Sequence, residues 1–252
     1  MLPRPPPAPD RAIALFLDFD GTLVDLAPRP GDVVVSDTLR TLLESLHSVL
    51  DGAVAVVSGR RLADLLEHLA PVKLAAAGSH GLEYQLQAGQ RQSASKARLP
   101  EPVWQALEAL VARHPALLLE HKGQCAAVHF RQAPDLGDVV AARLRDLRDQ
   151  DAPDYMLQAG KMVWELRPAG IHKGSAIERF MSGSPFAGRL PVFLGDDVTD
   201  EDAFQAVNAM GGWTVYVGDD AGITAARMGL RDVPAVSRWL QELNTNLHRR
   251  CA

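Results

Sequence analysis

This chain has few cysteines, no excess of positive charge and no long apolar run. Its two cysteines, Cys125 and Cys251, lie too far apart for a disulfide framework, which is typical of a reducing compartment, so we expect a cytoplasmic protein. The formal net charge of -5 argues against nucleic acid as the main partner. No apolar run reaches the roughly 20 residues that cross a bilayer, so we expect no membrane partner.

The first residues differ in composition from the rest of the chain. Residues 1–11 are rich in proline and lack the apolar segment of a signal peptide. This composition predicts a disordered leader. The total of 252 residues is enough for one large domain, or for a core domain with an inserted module.

Three short apolar runs are each followed at once by a polar cluster. The runs, at residues 13–17, 53–57 and 191–194, lack polar alternation, which is the pattern of strands buried on both faces of a parallel sheet. The clusters are DFDGTL at residues 18–23, SGR at 58–60 and GDDVTDED at 195–202. Because ligands bind beyond the carboxyl ends of such strands, we expect the three clusters to form one site.

The alternation of strand and helix is interrupted in the middle of the chain. From residue 84 onward, a predicted hairpin and further paired strands lie between helices, as in an α+β module. We therefore predict an α/β protein with a doubly wound core of parallel sheet. The core should comprise residues 12–83 and 171–252, and the inserted domain residues 84–170.

Asp18 and Asp20 suggest the chemistry of the site. Residues two apart on a strand point to the same side, so both carboxylates can face a ligand. One carboxylate can attack phosphorus to form an aspartyl-phosphate. The other can protonate the leaving oxygen, and then deprotonate the water that hydrolyses the intermediate.

Convergence of the first and third clusters would crowd carboxylates into one pocket. Like charges at short range cannot all ionise without compensating positive charge. A hard divalent cation with oxygen ligands, Mg²⁺ above all, would supply that charge. The carboxylates concerned are Asp18, Asp20, Asp196, Asp197 and Asp200.

Phosphate also needs hydrogen-bond donors and positive charge. Ser58 and Thr22 can offer hydroxyls and nearby backbone amides, and Lys173 at a predicted helix start supplies an ammonium. We expect Arg60 to pair with an acid such as Asp64 rather than to contact substrate. Each of these motifs alone has an ordinary explanation as a turn, a loop or a helix start, and it is their order that favours a site.

The motifs resemble those of a known group of enzymes. The DFDGTL segment, Ser58, Lys173 and the Gly195-Asp196-Asp197 segment resemble, in order, the four motifs of the haloacid dehalogenase (HAD) superfamily of phosphatases. More narrowly, VSGR at residues 57–60, GSHG at 78–81, ELRPAG at 165–170 and GDDVTDED at 195–202 resemble the trehalose-6-phosphate phosphatase family. The resemblance spans about residues 13–218.

This resemblance implies a fold, a reaction and a role for each matching residue. The fold would be a Rossmann-like HAD core with an inserted α/β cap, and the reaction the hydrolysis of trehalose 6-phosphate in trehalose biosynthesis. Asp18 would be the nucleophile and Asp20 the general acid and base, while Ser58, Lys173 and Thr22 would bind phosphate. Mg²⁺ would be held by the Asp18 carboxylate, the Asp20 backbone carbonyl and Asp196, with Asp197 and Asp200 in support.

The resemblance also implies a sugar-binding set in the cap. Glu120, Lys122 and Glu165 would form hydrogen bonds to the hydroxyls of the distal glucose. The ordinary alternative for these side chains is that charged residues on a cap strand are simply solvated.

Other functions remain open at this point. The substrate could be another sugar phosphate, such as sucrose phosphate or mannosylglycerate phosphate. A catalytically silent sugar-phosphate sensor is disfavoured because Asp18 and Asp20 are both present. A phosphoacceptor domain like a signalling receiver is disfavoured by the predicted inserted cap.

Overall fold

The chain folds into two compact units. In the computed structural model, residues 2–6, 8–27, 30–160 and 162–251 are described. One unit is discontinuous in sequence and comprises Met1–Ala94 and Ile171–Ala252, and the other is Ser95–Gly170. The second unit is therefore an insertion into the first.

An eight-stranded sheet forms the centre of the first unit. Its strands are β1 Ile13–Leu17, β2 Val54–Val57, β3 Ala75–Gly78, β4 Glu83–Gln85, β5 Arg91–Ser93, β10 Leu190–Gly195, β11 Trp213–Val217 and β12 Met228–Leu230. They are arranged in the order β12-β11-β10-β1-β2-β3-β4-β5. All neighbours from β12 to β3 pair in parallel, and β4 and β5 are antiparallel. The predicted parallel sheet is confirmed.

Helices pack against this sheet and bury its central strands. They are α1 Asp37–Val49, α2 Leu62–Leu69, α5 Lys173–Met181, α6 Glu201–Ala209 and α7 Val233–Cys251. Every residue of β1, β2 and β10 is buried, as expected for apolar runs without polar alternation. Within the described ranges, every helix is too short or too polar to cross a bilayer.

The hairpin of β4 and β5 extends the large sheet. We expected the inserted domain to begin at residue 84, but Glu83 pairs with Gly78 of β3, and the inserted unit begins at Ser95. The Gln85 side-chain amide also donates to the Leu74 carbonyl at 3.1 Å. These hydrogen bonds continue the core sheet by two antiparallel strands, which explains why the compact unit extends past residue 84.

Described residues of the proline-rich leader accept hydrogen bonds from β12 and α7. Gly229 N donates to the Pro3 carbonyl at 2.9 Å, at the outer strand β12. Trp239 Nε1 of α7 donates to the Pro6 carbonyl at 3.0 Å. The described leader residues therefore differ from the disorder expected from composition. The reason is that proline, although it cannot donate from its backbone, still presents a carbonyl that accepts.

The inserted unit is a four-stranded antiparallel sheet with two helices. Its elements are α3 Glu101–Arg113, β6 Leu118–Lys122, β7 Cys125–His129, α4 Gly137–Asp151, β8 Tyr155–Gly160 and β9 Val163–Pro168. The strand order is β6-β7-β9-β8. Strand β8 was not anticipated from the sequence.

The two faces of the smaller sheet differ in polarity. One face packs on the helices and forms a second hydrophobic core that includes Val128 and Leu166 of the sheet with Leu107 and Leu144 of the helices. Because side chains alternate along a strand, the neighbouring residues Ala127 and Glu165 belong to the other face. That face carries the polar residues of this unit considered below.

Candidate active site

Asp18 lies just beyond the carboxyl end of β1. The residue is only 4% exposed, and its backbone amide donates to the Leu194 carbonyl of β10 at 2.9 Å. The parallel pairing of β1 with β10 thus brings the first and third polar clusters together, as the sequence predicts. The Lys173 ammonium, at the first residue of α5, donates to Asp18 Oδ1 at 2.6 Å.

Lys173 is placed by the start of its helix. His172 caps α5, with its Nδ1 accepting a hydrogen bond from Ser175 N at 3.2 Å. A β-carbon at Gly174 would lie 2.4 Å from the Asp202 carbonyl oxygen, so glycine is required for α5 to pack this closely on α6. The fold therefore brings the ammonium to the acids of the third cluster.

Asp200 ties Lys173 to the loop after β10. Its Oδ1 accepts from Lys173 Nζ at 2.7 Å, and its Oδ2 accepts from the backbone amides of Asp196 and Asp197, each at 3.0 Å. Asp200 is fully buried. Because both of its oxygens already have partners, Asp200 orders the loop. Asp197 lies in the same loop, and its Oδ1 accepts a hydrogen bond from Val198 N at 2.7 Å.

Burial and crowding of carboxylates set the electrostatics of the site. Burial raises the pKa of Asp18 well above its usual range, and the charge of Asp200 adds to the rise despite the opposing effect of Lys173. Burial also raises the pKa of Asp196 to about 6. Burial alone would lower the pKa of Lys173, but the charges of Asp18 and Asp200 outweigh it and raise that pKa. Three carboxyl groups thus share one ammonium, and ionisation of all three would leave negative charge uncompensated.

The carboxylates are close enough to share a metal ion. Oxygen atoms of Asp18, Asp196 and Asp200 lie within 4.8 Å of one another. Gly21 has φ +82°, and a β-carbon there would lie 2.0 Å from Asp196 Oδ2. Thr22 Oγ1 donates a long hydrogen bond of 3.5 Å to Asp196 Oδ1. Surplus negative charge and oxygen donors fit a hard divalent cation such as Mg²⁺.

The Asp20 carboxylate pairs with Arg60, whereas the Asp18 carboxylate pairs with Lys173. Arg60 donates from Nε to Asp20 Oδ2 at 2.6 Å and from Nη2 to Asp20 Oδ1 at 2.7 Å. We expected Arg60 to pair with an acid such as Asp64. The observed acid is Asp20. Arg60, in the polar cluster at residues 58–60, therefore holds a carboxylate from the cluster at residues 18–23.

Ser58 is buried just beyond the end of β2, two residues before Arg60. Its Oγ accepts from Arg60 N at 3.1 Å, and its carbonyl accepts from His80 N at 3.0 Å. Ser79 and His80 have φ +48° and +56°, a left-handed conformation that costs non-glycine residues about 1–2 kcal/mol each. Ser79 N also donates to the Arg60 carbonyl at 2.6 Å. The GSHG turn therefore fixes the backbone around Ser58.

The inserted unit carries its own polar cluster on one sheet face. Lys122 Nζ lies 2.9 Å from Glu165 Oε1 and 3.9 Å from Glu120 Oε2. Burial would lower the pKa of Lys122, but the charges of Glu165 and Glu120 raise it. His129 Nε2 lies 2.9 Å from Glu120 Oε2, a contact that we did not predict. The register of β6 and β7 could have predicted this contact. Leu118 pairs with His129 and Glu120 with Ala127, so Glu120 and His129 are diagonal neighbours across the two strands.

Sequence comparison decides the family. Residues 16–222 match the profile of the family described as trehalose-phosphatase. The chain belongs to the trehalose-phosphatase family. The trehalose-6-phosphate phosphatase of Escherichia coli (strain K12) is 39% identical over 241 residues, which cover 94% of this chain and 88% of that protein. A probable trehalose-phosphate phosphatase of Sinorhizobium fredii is 40% identical over 205 residues, covering 81% of this chain and 77% of that protein.

A solved structure shares the fold of this trehalose-phosphatase family member. The C-terminal domain of trehalose-6-phosphate phosphatase from C. albicans matches with a TM-score of 0.78 at 25% identity, covering 94% of this chain and 93% of that one. The predicted membership of a family of phosphatases is confirmed. So is the predicted α/β fold of the HAD type with an inserted α/β cap, here the unit Ser95–Gly170.

Proposed function

We propose that this chain hydrolyses trehalose 6-phosphate to trehalose and phosphate through an aspartyl-phosphate on Asp18. The observation that carries the proposal is the buried Asp18 carboxylate, held at 2.6 Å by Lys173 beside Asp196, in a chain of the trehalose-phosphatase family. Membership of the family supports the substrate. A cytoplasmic location and a role in trehalose biosynthesis belong to the same proposal.

The proposed reaction assigns one role to each of these residues. An Asp18 oxygen forms a bond to phosphorus while the ester bond from phosphorus to the sugar oxygen breaks, and Asp20 gives its proton to that oxygen. Asp20 then takes a proton from water as the water oxygen bonds to phosphorus and the bond to Asp18 breaks. Lys173, Ser58 and Thr22 bind the phosphoryl oxygens. Free phosphate leaves, and Asp18 and Asp20 return to their starting states.

The residues present fit Mg²⁺ as the cofactor. Asp18 and Asp196 would hold the ion with their carboxylates and Asp20 with its backbone carbonyl. Asp200 and Asp197 would support it by ordering the loop, because their oxygens accept backbone hydrogen bonds. Bound Mg²⁺ neutralises charge on the transferring phosphoryl group.

The polar face of the inserted unit is the proposed sugar site. A pocket that recognised phosphate alone would also accept other phosphate esters, so selectivity requires hydrogen bonds to the sugar. Glu120, Lys122 and Glu165 supply acceptors and donors within one cluster. We propose that they bind the hydroxyls of the distal glucose.

Phosphate release from a panel of esters tests the proposal. Trehalose 6-phosphate is compared with glucose 6-phosphate, sucrose phosphate and p-nitrophenyl phosphate, with Mg²⁺ and with a chelator. We expect Mg²⁺-dependent release that is selective for trehalose 6-phosphate and lost in Asp18→Asn. Faster turnover of another sugar phosphate would refute the substrate but keep the mechanism. Release from none of the esters would favour a silent sensor.

A further inference from the structure

Arg60 holds the side chain that is proposed as general acid and base. Its Nε and Nη2 each donate to one oxygen of Asp20, at 2.6 and 2.7 Å. Two parallel short bonds from a planar guanidinium fix the plane of a carboxylate as well as its position. The Asp20 side chain is 29% exposed and that of Arg60 only 11%. The carboxylate therefore keeps access to a ligand while its orientation is held from the buried side.

Further contacts hold Arg60 itself in place. Its Nη1 lies 3.0 Å from His68 Nε2, and because a guanidinium has no acceptor, this imidazole nitrogen must accept. Its guanidinium carbon lies 5.4 Å from the centroid of the fully buried Phe19 ring. Its backbone amide donates to Ser58 Oγ. These contacts hold the Arg60 guanidinium in one orientation toward Asp20, just beyond the end of β2.

We propose that Arg60 is a positioning residue for Asp20 in the transfer of the leaving-group proton. The inference rests on the function proposed above. Asp20 must point at the sugar oxygen at the moment when the ester bond breaks, and a misplacement of about 1 Å can cost about 10²-fold in rate. Lysine cannot take over this role, because one ammonium cannot hold both carboxylate oxygens in a plane.

The leaving group distinguishes positioning from a merely structural role. A sugar oxygen leaves readily only with a proton, whereas p-nitrophenolate is a stable anion that leaves without one. Loss of the Asp20 orientation should therefore slow the first release of sugar and spare the first release of p-nitrophenolate. A disturbed fold, or a displaced Ser58, would slow both. The first turnover is the correct measure, because the later hydrolysis of the aspartyl-phosphate is common to both esters.

The experiment follows the first turnover with the full chain in excess over substrate and Mg²⁺ present. Arg60→Met and Arg60→Lys are compared with Asp20→Asn, and Arg61→Met, at an exposed neighbour, is the matched control. We expect trehalose release to fall about 10²-fold in both Arg60 variants, with p-nitrophenolate release within about threefold of the unmodified chain. The double variant of Arg60→Met with Asp20→Asn should lose no more than Asp20→Asn alone.

The other outcomes overturn the inference. Equal losses on both esters, full activity in Arg60→Lys, or additive losses in the double variant would each show that Arg60 does not act through Asp20. If another sugar phosphate is turned over instead of trehalose 6-phosphate, the proposed substrate fails, while the same contrast with p-nitrophenyl phosphate still tests Arg60. If no ester is turned over at all, both proposals fail.

Discussion

Replacement of Gly21 by alanine should disable the site without unfolding the chain. Gly21 has φ +82°, and an added β-carbon would lie 2.0 Å from Asp196 Oδ2. Ordinary contact begins at 3.4 Å, so the carboxylate would have to retreat by more than about 1 Å. A displacement of that size at a proposed metal ligand should lower kcat/KM about 10²-fold, equivalent to about 2.7 kcal/mol.

Gly89 provides the matched control for this substitution. It has φ +84°, and a β-carbon there would meet no atom within 4 Å. Gly21→Ala and Gly89→Ala should therefore share a left-handed backbone penalty of about 1–2 kcal/mol, measured by urea unfolding. Only Gly21→Ala should lose phosphate release and need more Mg²⁺ for half-maximal activity. Similar kcat/KM in the two variants would refute the role assigned to the approach of Gly21 to Asp196.

Three further substitutions test other parts of the structure. Asp200→Ala removes one of the two carboxylate partners of Lys173 and the acceptor of two backbone amides, so urea unfolding should show a loss of about 1–3 kcal/mol; an unchanged midpoint would contradict this. Burial raises the pKa of Tyr155 to about 12, above the unfolded value, so stability should fall as pH rises from about 10 to 12, and Tyr155→Phe should make that fall less steep. Lys122→Met should raise KM for trehalose 6-phosphate about tenfold and leave p-nitrophenyl phosphate unaffected, whereas equal effects on both would argue against sugar binding by the cap.

The sequence predicted the arrangement of the core because the signals there are local. Uninterrupted apolar runs such as residues 13–17 identify buried parallel strands, and parallel strands end at one edge of the sheet. The meeting of Asp18 and Asp196 follows from that rule, whereas Lys173 reaches them from the start of α5. The need for positive charge follows from the number of acids alone.

The features that were missed depend on contacts between distant residues. Nothing near Asp20 indicates that its carboxylate meets Arg60, 40 positions along the chain. The hairpin of β4 and β5 could extend either sheet, and only its pairing with β3 decides between them. Composition alone predicted a disordered leader. The hydrogen bond from Trp239 to the Pro6 carbonyl joins residues 233 positions apart, and no local sequence pattern indicates it.

The contact between the leader and β12 also bears on how the large sheet ends. An outer strand offers backbone groups to any other strand that comes near, which is a common route to aggregation. Here Gly229 already donates to Pro3, and a proline at that place has no N–H with which to recruit a further strand. The leader therefore covers part of this outer edge, which leaves fewer backbone groups of β12 available for pairing with another strand.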